Sequence, residues 1–228
     1  MAPSRRAPAG RRSPRQRARA ERREALSGSG PVRSEQGPGR WPGATGAFAL
    51  FGEVMVAGVV VLLVALPLIT LPLALALGVR HLRRYLLAES HGVGEVLADL
   101  RQGVLGSLLV GLVTLLLGTA LALDVALGTA GVLPGGRVVV VAGWVGLAVL
   151  GTVLVVAARA WSPATGWRAA LRAVPQELGT DPVGACYVAV AVGFVALLTW
   201  QLPPLVLPGL GLLVFASLAV PERLLARG

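Results

Sequence analysis

Beyond residue 45 the chain is dominated by apolar runs, at 46–79, 103–127, 138–158, 183–200 and 205–221, separated by short polar stretches. Ahead of them, residues 1–45 are built from Arg, Pro, Ser, Gly, Ala and Glu and show no periodic apolar face. A helix needs about 20 apolar residues to cross a hydrocarbon core roughly 30 Å thick, and most of the runs have the length for one crossing. None alternates polar with apolar positions as the strands of a membrane barrel do, so the pattern predicts helices.

The first run is too long for one helix and contains Leu66-Pro67-Leu68-Ile69-Thr70-Leu71-Pro72. Proline interrupts the helical hydrogen-bond ladder. The run therefore divides into a helix over about 46–66 and a second over about 70–87, which ends in Arg80-His81-Leu82-Arg83-Arg84-Tyr85. The purely apolar part of the second, Leu68–Val79, reaches only about 18 Å at 1.5 Å per residue. Either its arginines snorkel to the surface or the segment is re-entrant. Pro67 and Pro72 mark a turn, with the Thr70 hydroxyl capping the helix that follows. The competing reading is a broken helix whose free backbone groups bind a ligand. A similar turn, Gln201-Leu202-Pro203-Pro204, precedes the last run.

Arginine placement then selects a topology, because short cytoplasmic loops collect basic residues. With six crossings and a cytoplasmic N-terminus, 20 of the 21 basic residues lie inside and only Arg137 lies outside. With five crossings only twelve stay inside. The expected architecture is an all-α polytopic transmembrane bundle of six spans, five being the alternative. It comprises a disordered cytoplasmic tail over 1–45, a helical domain over 46–221, a short cytoplasmic C-terminus over 222–228, and both ends on the cytoplasmic side of the cell membrane. Trp161, Trp167 and Trp200 fall near predicted helix ends, where aromatic belts form. Val93–Leu100 and Gly166–Leu178 have apolar residues at helical spacing opposite charged ones, as helices lying in the interface do. They give 70–127 and 138–200 a weak internal resemblance, of a kind found in transporters and elsewhere.

Composition excludes a soluble fold: 55% of residues are hydrophobic and 14% charged, against roughly 25% charged in an ordinary soluble domain, and the mean hydropathy is +0.74. The formal net charge of +10 is a property of the tail, which holds eleven of the 21 basic residues, all of them arginine. Such a segment cannot bury enough apolar surface to offset its ordering entropy. It either attaches to anionic lipid headgroups, at about 1 kcal/mol per arginine, or serves as a solvated tail whose charge sets orientation. Nucleic acid is not an expected partner, since Trp41 is the only aromatic in the tail able to stack on bases. Arg-Arg pairs in the tail lie too far from the first apolar run for a twin-arginine signal, and no small-residue cleavage site follows that run.

Chemistry-bearing residues are sparse. Cys186 is the single cysteine, and His81 and His91 are too few to complete a usual metal shell. No cofactor or metal is expected. There is no nucleophile, base and acid set, no catalytic carboxylate pair and no phosphate-cradling glycine loop, so catalysis is not expected. Ionisable groups inside a membrane are functional suspects, and two stand out: Glu53, about two turns into the first helix, and Asp124, near the outer end of the third. They either couple protons or cations to transport or sit hydrated near the headgroups. Neither has an evident cationic partner in the bilayer. Gly58, Gly111, Gly118, Gly143, Gly146 and Gly151 suit close helix packing.

Leu66-Pro67-Leu68-Ile69-Thr70, the Ala/Leu-rich helix with a basic end that follows, and Gly94-Glu95-Val96-Leu97-Ala98-Asp99-Leu100-Arg101 together resemble the YesL-like family of bacterial membrane proteins. Members of that family carry a Pro-x-x-Thr turn after the first crossing and then a short cytoplasmic helix entering the next. The resemblance covers roughly residues 46–220. It implies a domain of unknown molecular function, often encoded beside carbohydrate ABC transporters, and supplies no catalytic residues. The expected role is a non-enzymatic accessory or assembly partner, with ABC transporter subunits as the implied partners besides the bilayer. The alternative is a small secondary transporter that uses Glu53 or Asp124.

Overall fold

The computed structural model describes residues 41–44, 46–89, 92–131 and 135–225. Among these the chain is all-α, with no strand. The helices are α1 (Ala47–Ala65), α2 (Leu71–Leu86), α3 (Val93–Thr129), α4 (Gly136–Ala160), α5 (Gly166–Thr180), α6 (Pro182–Gln201) and α7 (Val206–Leu225), with a 3-10 turn at Pro203–Leu205 before α7. Five segments are long and apolar enough to cross a bilayer: α1, α3, α4, α6 and Pro203–Glu222. Their outward faces carry Leu105, Val138, Val190 and Phe194, all more than half exposed. Water would penalise such a coat, whereas acyl chains match it, and each helix satisfies its own backbone hydrogen bonds. The protein is a polytopic helical membrane bundle.

The remaining predicted crossing is α2, which has only 16 residues. It runs through the middle of the bundle against α1, α3, α4 and α7, and Leu73, Leu77, Val79 and Leu82 are at most 1% exposed. The sequence Leu73-Ala74-Leu75-Ala76-Leu77-Gly78 explains this position. Small residues between the leucines let neighbours approach from several sides, and Gly78 receives the side chains of Val61 from α1 and Val214 from α7.

The turn between α1 and α2 forms at Pro67 as expected, but the Thr70 hydroxyl does not cap α2. It donates to the Val64 carbonyl of the preceding helix. Leu68 N–H bonds to the Ala65 carbonyl at 2.8 Å, which leaves the Val64 oxygen as one of the orphan acceptors of a helix end, and Thr70 is placed to satisfy it. Thr70 is still the N-cap residue, its carbonyl accepting from Ala74 N–H at 2.8 Å. Pro72 sits in the first turn of α2, where no N–H is required. Leu68 has a φ of +40°, a left-handed conformation that a leucine rarely adopts.

α3 is one continuous helix of 37 residues, on the order of 55 Å long at 1.5 Å per residue. Val93–Leu100 is therefore not a separate helix in the interface. It forms the first turns of α3, because nothing between Leu100 and Gly103 interrupts the ladder. The segment it was compared with, 166–178, does form the separate helix α5, which ends at Asp181-Pro182. Pro182 opens α6, and Asp181 Oδ1 accepts the Gly184 N–H at 2.8 Å. The resemblance between the two halves stops at that junction.

Two boundaries move. α7 continues to Leu225, past the expected end at 221. At the other end the first described residues pack on the bundle: the Trp41 ring meets Phe215 edge-on at 5.9 Å, and Gly43 N–H bonds to the Leu86 carbonyl at 3.1 Å. The rest of the segment expected to be disordered lies outside the described residues.

Candidate functional site

Cross-helix polar contacts converge at one end of the bundle, where α2, α4 and α7 finish and α3 and α6 begin. Asp99 is the hub of the first group. It lies in the second turn of α3, with its side chain 7% exposed, and its Oδ2 lies 2.9 Å from Arg80 Nε and 2.8 Å from an Arg84 guanidinium nitrogen. A second Arg80 donor reaches Oδ1 at 3.3 Å. Arg80 and Arg84 lie one helical turn apart on α2, so a single carboxylate opposite can accept from both. The Arg80 guanidinium also lies 5.9 Å from the centre of the Trp161 ring, which stacks on Trp167 with centroids 5.9 Å apart.

This corrects the aromatic-belt reading for two of its three tryptophans. Trp161 and Trp167 are 2% and 5% exposed, because their faces cover a guanidinium and each other. Trp200, 81% exposed, stands where a belt residue does.

Glu53 and His81 form the second group, with Oε1 and Nε2 2.8 Å apart. Glu53 lies on α1 and His81, 5% exposed, on α2. Sequence reasoning left Glu53 without a partner, although the signal was present: the two residues lie equally far on either side of Pro67. A tight antiparallel turn there brings them level.

The third group lines an open cavity. Arg159, at the end of α4, pairs with Glu177 of α5 and donates to the Ser217 carbonyl of α7 at 3.2 Å. Arg83 donates to the Arg159 carbonyl at 3.2 Å. A cavity of about 460 Å³ lies between them, walled also by Trp41, Leu218 and Glu222.

Asp124 is not drawn into any of these groups; it is exposed on the second half of α3. Thr70, Pro67 and Pro72 belong to the α1–α2 turn, away from the charged end. The Ile69 carbonyl of that turn rests against Gly111 of α3. Cys186 is exposed and free. Among the described residues no group of three or more His, Cys, Asp or Glu is placed to hold a metal ion.

Arg80, Arg84 and Asp99 were read from the sequence only as parts of a basic helix end and an amphipathic stretch, and Arg159 and Glu177 were not singled out. Their pairing depends on which helices are neighbours, a fact that spacing along one chain does not carry. No protein-family model matches the chain, and comparison with curated proteins and with solved structures likewise gives no match.

Proposed function

We propose that the chain is a non-enzymatic accessory or assembly protein of the cell membrane, with both termini cytoplasmic. The observation that carries this reading is the distribution of polar side chains. Apart from Asp124 and Arg137, the charged side chains of the described helices gather toward one end, several of them in ion pairs, while α2, the helix at the centre, is apolar and buried from Leu73 to Val79. A transporter needs a polar route through its middle, and that stretch interrupts one. The arginines collected at this end favour its cytoplasmic placement, and the family resemblance suggests a carbohydrate ABC uptake system as the partner. Purification in mild detergent from its native membrane is the test. A membrane-protein partner recovered in fixed stoichiometry supports the reading, and recovery of the chain alone across several detergents defeats it.

The Glu53–His81 pair supports a second reading, a small proton-coupled transporter. A carboxylate and an imidazole in contact on neighbouring helices can share a proton. Flux into proteoliposomes that is abolished by Glu53→Gln would establish transport over the accessory role.

A further inference from the structure

A groove of about 290 Å³, separate from the cavity described above, runs between α3 and α4 and reaches α5. Leu109, Val113 and Leu117 of α3, Val153 and Leu154 of α4 and Leu171 of α5 wall it, and Thr114 is its one polar lining residue. Leu109, Val113, Leu117 and Leu171 are exposed, so the groove opens to the acyl chains around the bundle. α5 is held against the bundle by Trp167, Ala170 and Val174, which recur at helical spacing and are buried. Leu171 sits beside that stripe, and Arg168 and Arg172, one helical turn apart, flank it on the exposed side. Neither arginine makes an ion pair or hydrogen bond among the described residues. The one carboxylate within α5, Glu177, projects from its other flank and is held by Arg159. The Trp167 indole N–H is buried and has no acceptor among the described residues. Its Cδ1 edge faces Gly106, which lies one turn before Leu109 and Val110 on the groove face of α3. Two unpaired cations and one orphan donor therefore stand at the head of an apolar groove.

We propose that this groove holds one anionic phospholipid, with an acyl chain between α3 and α4 and its phosphate on Arg168 and Arg172. The planar guanidinium forks match phosphate oxygens, and the Trp167 N–H donates to an oxygen of the glycerol ester region, as a buried indole N–H requires. The charge balance selects the headgroup. Two cations face the ligand, and no carboxylate lines the groove. A zwitterionic headgroup would bring an ammonium that meets arginine and no acid, whereas a headgroup without a cation adds no such repulsion. The assignment requires only that the chain lies in a membrane and is independent of the accessory and transport readings.

Native mass spectrometry of the detergent-solubilised full chain tests it, with phosphatidylglycerol, phosphatidylethanolamine and phosphatidylcholine of identical acyl chains titrated in turn. The glycerol lipid is expected to bind best. Arg168→Gln combined with Arg172→Gln should weaken it by at least about tenfold, each arginine at a lipid surface contributing roughly fivefold. Neither side chain has a partner to lose, so the thermal midpoint of that protein should match wild type. Val113→Trp, which fills the groove with both arginines intact, should also reduce binding severalfold. Arg101→Gln is the control: Arg101 is exposed at the same end, on the face of α3 turned away from Trp161 and Trp167, and its loss should leave binding unchanged. Equal binding of the three lipids overturns the proposal, as does an equal loss in Arg101→Gln protein, or unchanged binding in the doubly substituted or Val113→Trp protein. Soluble glycerophosphoglycerol distinguishes the sources: weak competition supports a lipid, and affinity equal to the lipid's overturns the lipid assignment in favour of a free phosphodiester.

Discussion

Asp99 shows what one side chain does here. It accepts from both Arg80 and Arg84, so Asp99→Ala would leave two guanidiniums facing one another in a largely buried site. Removing one partner of a buried ion pair is expected to cost about 3 kcal/mol, read as a lower thermal midpoint in detergent; a midpoint within error of wild type would refute the hub role. The glycines give a paired test. A methyl group at Gly111 would run into the Ile69 carbonyl, whereas at Gly118 the nearest atom would be 3.8 Å away. Gly111→Ala is therefore expected to destabilise by about 1–3 kcal/mol, and Gly118→Ala to be neutral or mildly stabilising through helix propensity. From the sequence both glycines belonged to the same packing set, because residue type reveals smallness and not what presses against it. Glu53 illustrates a different gap. Its own turn was recognised, but folding the chain about Pro67 to find His81 opposite required treating the turn as tight and antiparallel.

Among the elements, long apolar runs were legible and the joins between them only partly so. Run length specifies a helix because lipid cannot satisfy exposed backbone groups. Whether an amphipathic stretch stands apart from the crossing it feeds depends on a local stop signal. Asp181-Pro182 provides one, and Leu100-Arg101-Gln102-Gly103 does not. Asp181→Ala should thus cost about 1 kcal/mol through the lost cap, measured as a reduced unfolding midpoint. Amide hydrogen exchange should find residues 98–106 uniformly protected, and a fast-exchanging gap there would break α3 in two. The short α2 was the most ambiguous element in sequence. Its alternation of leucine with small residues is the mark of a helix enclosed by protein, and its length alone could not convey that.

For the whole molecule, charge asymmetry gave the arrangement of ends before any contact was visible, since the arginine-bearing termini of α2, α4 and α7 do meet. The orientation is open to a direct check in a Cys186→Ser background. A cysteine at Ala164 should react with a membrane-impermeant maleimide only from the cytoplasmic side, and one at Ala130 only from the opposite side. Reaction of both from the same side would overturn the antiparallel arrangement. The seat of the α1–α2 turn on Gly111 has a further consequence for the surrounding lipid. Gly111 is half way along α3, so a stretch on the order of 27 Å, at 1.5 Å per residue, continues beyond the turn and packs chiefly on α4. The hydrophobic collar is accordingly uneven around its circumference, tall beside the α3–α4 hairpin and low beside α1. A bilayer meeting such a collar must thin or tilt its lipids on the low flank, which gives that flank an intrinsic preference for short-chain lipids or for a neighbouring protein that fills the step.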